Sequence, residues 1–62
     1  MKKMDVMLSN GICSYDMDII KENSASYYVA DIFGTTYRVS KKDKKFYRGR
    51  LLMGKVVFMD IY

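Results

Sequence analysis

The chain has 62 residues, 11 Lys and Arg against 7 Asp and Glu for a net charge of +4, one Cys, no His and no Pro. Without His, Ser-His and Cys-His catalysis and the usual zinc sites are excluded. A lone Cys13 cannot form an internal disulfide and is expected to be a small buried apolar residue.

That length makes one small domain spanning residues 1–62. A chain of this size buries only about 60% of the surface its unfolded form exposes, so its core is marginal and oligomerisation is the remaining way to add buried area. No run approaches the ~18 consecutive apolar residues of a membrane helix. Lys2 and Lys3 mimic the charged start of a signal peptide, but Asp5 falls where its apolar stretch should begin. The expectation is an intracellular, cytoplasmic protein with no membrane partner, no cofactor, no metal and no enzymatic activity.

Met4 to Ile20 reads as a β-hairpin. Asn10-Gly11 is a strong hairpin signal, because a type I′ turn needs φ > 0 at both central residues. A two-residue loop there sets Ser9 opposite Ile12, Met7 opposite Ser14, Asp5 opposite Asp16 and Lys3 opposite Asp18. Met4, Val6, Leu8, Cys13, Tyr15, Met17 and Ile19 then share one apolar face, and a one-residue slip would destroy that separation. The polar face brings Asp5, Asp16 and Asp18 together. Adjacent carboxylates can hold Mg²⁺ for phosphodiester cleavage. No base or phosphate-gripping loop accompanies them, so a polar outer face balanced by Lys3 is the expected role.

Lys21 to Ser24 reads as a connection, and Ser26 to Phe33 as a third strand rich in aromatic and β-branched residues. Gly34-Thr35 suits a type II′ turn. It pairs Ile32 with Tyr37 and Ala30 with Val39 on one face, and Asp31 with Arg38 on the other. Lys41 to Lys45 is then a loop. Pairing Ser40 with Phe46 sets Val39 opposite Tyr47 toward the core, and Arg38 beside Arg48 on the other face with Phe46 and Arg50. Met53-Gly54 reads as another turn, followed by a final strand, Lys55 to Tyr62, apolar on both sides. Triplets such as Met4-Asp5-Val6, Met17-Asp18-Ile19 and Ala30-Asp31-Ile32 follow from alternating strands of similar length rather than from an internal repeat.

Five or six short strands with no convincing helix predict an all-β fold. Consecutive hairpins would build a small antiparallel barrel or curled meander of SH3-like size, because closure removes exposed sheet edges.

The functional signal is the segment Arg38 to Arg50. Its seven Lys and Arg residues outnumber its one acid, Asp43, so it carries +6 of charge while the rest of the chain carries −2. Arg38, Lys41, Lys42, Lys44, Lys45, Phe46, Arg48 and Arg50 are the candidate binding residues. Lysines offer point charges to phosphates, and arginines add forked donors. Phe46 would offer a base a stacking platform, worth ~1–3 kcal/mol where such stacking occurs. These residue types together predict a non-enzymatic protein that binds DNA or RNA. The alternative is a protein-binding module or inhibitor that docks an acidic groove on a larger protein, nucleic-acid-processing proteins included. The loop lysines taken alone are also explained as a solubilising hairpin tip. A second apolar face, Val29, Phe33, Val57, Met59 and Ile61, is expected as a homodimer contact or docking site.

Overall fold

Short alternating segments punctuated by Gly, Asn and Lys form six strands in the protein's computed structural model, which describes residues 2–62. They are β1 (Lys3–Leu8), β2 (Cys13–Glu22), β3 (Ser26–Ala30), β4 (Thr36–Ser40), β5 (Lys45–Arg48) and β6 (Leu51–Ile61). Each strand pairs antiparallel with the next, and β6 pairs back onto β1 to close a barrel. No strand is left with an unpaired edge along its whole length, which is the advantage closure gives a small sheet. Among the described residues no helix is long and apolar enough to cross a membrane.

The first hairpin differs from the expected two-residue turn. Gly11 N donates to Leu8 O at 3.0 Å and Leu8 N to Ile12 O at 2.8 Å, so the loop is Ser9-Asn10-Gly11. Gly11 takes φ +90°, the left-handed residue that ends such a three-residue loop. The extra residue shifts the tip register by one, setting Met7 opposite Cys13 and Val6 opposite Ser14. A bulge of Tyr15 and Asp16 against Asp5 then cancels the shift, so Met4 meets Met17 and Lys3 meets Asp18 as expected. Between loop and bulge the faces are inverted. Cys13 and Tyr15 therefore point outward and are exposed, not buried as their place in the sequence pattern suggested.

Asn10 fixes this hairpin to the rest of the barrel. Its Oδ1 accepts Ile12 N at 3.1 Å while its Nδ2 donates to Met53 O at 3.0 Å. The contact brings the loop against Gly54, where an added Cβ would lie 3.2 Å from Asn10 Nδ2 and 3.4 Å from Leu8 Cδ1. Gly54 is thus a strand residue chosen for close approach rather than the turn its neighbours suggested. The turn lies earlier, at Gly49-Arg50, with Gly49 at φ +61° in the first central position. The long β6 pairs with β5 through Lys55 and with β1 from Val56 onward.

The core is Met4, Val6, Leu8, Met17, Val29, Val39, Phe46 and Val56, flanked by half-buried Ile19, Tyr27, Tyr37, Met53, Met59 and Ile61. The Tyr37 and Phe46 rings stack with centroids 4.9 Å apart. This composition revises the expected outer apolar face. Val29 is fully buried, and Met59 and Ile61 pack on the core, because a shift between Leu8–Val56 and Met7–Phe58 turns β6 over at Val57. Phe33 and Val57 stay exposed, but on separate elements.

Candidate nucleic-acid interface

The β3–β4 loop is five residues long, Asp31 to Thr35, rather than Gly34-Thr35 alone. Asp31 N donates to Thr35 O and Gly34 N to Asp31 O, both at 3.0 Å, and Gly34 sits at φ +83°. Asp31 Oδ1 accepts Phe33 N at 2.9 Å and Thr35 N at 3.0 Å, and Oδ2 accepts the Tyr37 hydroxyl at 3.0 Å. Its carboxylate is consumed by its own loop, so it does not pair with Arg38. The resulting register sets Tyr27 opposite Val39, Tyr28 opposite Arg38 and Val29 opposite Tyr37.

The β4–β5 loop decides the site. It holds four residues, Lys41 to Lys44, and Lys44 ends it at φ +57° with its N–H donating to Ser40 O at 3.0 Å. Val39 therefore meets Phe46, and Arg38 meets Tyr47. The expected pairing was one residue away, and one residue exchanges the faces of a strand. Phe46, expected on the binding face, is 1% exposed in the core. Tyr47, expected in the core, stands on the outer face instead.

That outer face carries a row across neighbouring strands: Lys21 on β2, Tyr28 on β3, Arg38 on β4 and Tyr47 on β5. Cations and aromatics alternate along it. The Arg38 guanidinium lies 4.5 Å from the Tyr47 ring centroid, and Lys21 Nζ lies 5.8 Å from that of Tyr28. Arg38 Nη1 also reaches the buried Ser26 Oγ at 3.4 Å, which fixes its direction. Ser26 is itself held by Asn23, whose Oδ1 accepts Ser26 N and Ala25 N at 2.8 Å. Beside the row a groove of about 490 Å³ is lined by Ile20, Tyr28, Thr36, Tyr37, Arg38 and Gly49. Lys45 stands on the same side of β5 as Tyr47, opposite Lys55 of β6.

The other expected residues divide between the two ends of the hairpin. Alternating strand directions place the Lys41–Lys44 loop at one end of the barrel, and Arg48, Gly49 and Arg50 at the other. Arg38 pairs with Tyr47, so Arg48 takes the opposite side of β5 and Arg50 lies in the turn; the three arginines do not share one face. Lys41 is committed to a pair, with Nζ 2.7 Å from Glu22 Oε2 and 4.6 Å from the Tyr27 ring centroid. That hydrogen bond holds the Glu22 carboxyl below its usual range. Lys42, Lys44, Lys45, Arg38, Arg48 and Arg50 have no carboxylate partner within 4.0 Å among the described residues. Burial, with the bond to Asp31, raises the Tyr37 hydroxyl, and the positive charge of Arg48 opposes the rise.

The acidic side is separate. Asp16, left-handed in the bulge at φ +56°, donates its N–H to Asp5 Oδ1 at 2.9 Å. The Tyr62 hydroxyl lies 2.8 Å from Asp5 Oδ1 and 2.5 Å from Asp16 Oδ1. Asp18 pairs with Lys3 at 3.4 Å. Among the described residues no group of three acidic or thiol side chains is arranged to hold a metal ion.

Lys21, Tyr28, Tyr47 and Lys55 join this face although they were not among the expected binding residues. The alternation of Tyr28, Arg38 and Tyr47 with buried Val29, Val39 and Phe46 is the signal that marks the two tyrosines; nothing comparable marks the two lysines. Comparison with known proteins gives no relative: no family model, no curated protein and no solved structure matches the chain.

Proposed function

We propose that the chain is a non-enzymatic nucleic-acid-binding protein that works through the outer face of β3, β4 and β5. The observation that carries this reading is the Lys21–Tyr28–Arg38–Tyr47 row, flanked by Lys45 and Lys55. A tyrosine beside an unpaired arginine offers a base a stacking surface and a phosphate a forked donor at the same place. The free lysines and arginines at both ends of the hairpin extend the positive stripe along a phosphate backbone. Counterion release from that backbone supplies most of the affinity, and recognition is tolerant of sequence. The exposed thiol of Cys13 suits a reducing intracellular setting.

Fluorescence anisotropy of labelled oligonucleotides across a salt series tests this. Binding is expected to weaken steeply, with log K falling by about 0.7–0.9 per phosphate contact against log salt. Absence of binding to every DNA and RNA probe at low salt would remove the reading. Retention of one stoichiometric protein from nuclease-treated lysate would then favour the alternative, a protein-binding module or inhibitor that docks an acidic groove.

A further inference from the structure

Two large apolar side chains stand at the tip of the β3–β4 loop, Ile32 at 78% exposure and Phe33 at 85%. Neither belongs to the core or to the side chains packed against it. This loop is fastened: the Asp31 carboxylate accepts two loop N–H groups and the Tyr37 hydroxyl, and Gly34 supplies the left-handed corner. A rigid corner presenting a phenyl ring and a branched aliphatic is the shape of a wedge.

The charge around it indicates what it enters. The β3–β4 and β5–β6 turns lie at the same end of the barrel, so Arg48 and Arg50 accompany the tip. Thr36, next to the loop, and Gly49 line one groove with Arg38. The acid of the tip itself, Asp31, is held by its own loop and Tyr37, Asp18 on the neighbouring β2 pairs with Lys3, and the next acid along the chain, Asp43, lies in the loop at the opposite end. An apolar protein pocket needs no pair of free arginines beside it. A stacked base step does, because each step is edged by phosphates.

We propose that Ile32 and Phe33 form a wedge that enters a base step of double-stranded nucleic acid and partly unstacks it, while Arg48 and Arg50 hold the adjacent phosphates. Proteins that insert Phe, Ile or Leu in this way offset the unstacking cost with the extra surface the bent duplex then covers. Pyrimidine–purine steps are the most easily opened, so the wedge should prefer them. The proposal rests on the nucleic-acid reading above.

The test uses a DNA duplex carrying, beside a TA step, a fluorescent base analogue that brightens when unstacked. Wild-type protein should brighten it at saturation. Phe33→Ala and Ile32→Ser should bind with the same salt slope but without the brightening. Both side chains are exposed, and an unchanged thermal midpoint checks that the variants keep their fold. Duplex binding by wild type without brightening, or brightening unchanged in Phe33→Ala, overturns the wedge and leaves the nucleic-acid reading standing. Failure of wild type to bind any nucleic acid overturns both. Capture of one protein from nuclease-treated lysate by wild type but not by Phe33→Ala assigns the tip to a protein pocket and overturns the wedge.

Discussion

Arg38 lies over the ring of Tyr47 at 4.5 Å, and the two are direct partners across β4 and β5. The contact exists because the lysine loop holds four residues; one residue more would turn Tyr47 inward and bring Phe46 to the surface. Charge and stacking surface meet at this pair, so the two contributions can be separated. Arg38→Gln should weaken oligonucleotide binding and reduce the salt slope by about 0.7–0.9, the share of one phosphate contact. Tyr47→Ala should leave the slope unchanged and cost about 1–3 kcal/mol of affinity if a base stacks there. Anisotropy titrations at several salt concentrations distinguish these outcomes. Equal slopes for Arg38→Gln and wild type would place the phosphates elsewhere.

The same register makes Phe46 a core residue rather than a binding residue. It stacks on Tyr37 and faces Val39, and it is among the largest fully buried side chains. Phe46→Ala should cost about 3–5 kcal/mol, the usual penalty for emptying a buried aromatic site. In a small domain that approaches the whole stability. Phe33→Ala, by contrast, should change the unfolding free energy by less than about 0.5 kcal/mol, because its side chain is solvated. Chemical denaturation of the two variants side by side checks the register. A Phe46→Ala variant as stable as wild type would contradict it.

Lys41 is the loop lysine that Glu22 holds back. Their hydrogen bond lowers the Glu22 carboxyl, so its contribution is present above the ordinary carboxylate range and is lost as pH falls through the lowered value. Glu22→Gln removes the acid and leaves Lys41 free to meet a phosphate. The expected result is tighter oligonucleotide binding with a slightly steeper salt slope. Weaker binding would show that the pair orders the loop for recognition instead of restraining it.

Tyr62 joins β6 to the bulge by lying between Asp5 and Asp16. One hydroxyl carries one proton, so it serves the two carboxylates by turns. The bond to Asp16, then that to Asp5, raises the Tyr62 hydroxyl far above the ordinary tyrosine value. A raised value means that the neutral form is favoured by folding. Its contribution is complete below a tyrosine's usual pKa of about 10 and is lost as pH rises through the folded value. Alkaline titration of tyrosinate absorbance should show a last step that disappears in Tyr62→Phe. An unchanged final step would assign it to another tyrosine.

The all-β barrel was legible because the apolar alternation of β1, the Asn10-Gly11 corner and the absence of helical spacing all agree. Register was less legible. Four loops differ from their expected extent: Ser9 to Gly11, Asn23 to Ala25 (with Lys21 and Glu22 in β2 instead of in the connection), Asp31 to Thr35 and Lys41 to Lys44. Each length is set by hydrogen bonds that composition does not announce, such as the three that converge on Asp31. In the first hairpin the bulge at Tyr15-Asp16 cancels the change, so Met17 is buried as the pattern predicts. In the β4–β5 hairpin nothing cancels it, and the candidate site turned over with it. The charge of the Arg38–Arg50 segment was visible at once. Its division between two ends of a barrel was not, because a hairpin separates residues that a count of charges groups together.

The outer face of β3, β4 and β5 is the surface proposed to meet nucleic acid. Backbone amide chemical shifts of isotope-labelled protein, followed as an oligonucleotide is added, test it most directly. Perturbations are expected at Tyr28, Arg38, Lys45 and Tyr47, extending to Arg48 and Arg50. A map centred on Asp5, Asp16 and Tyr62, or no perturbation at low salt, would contradict it.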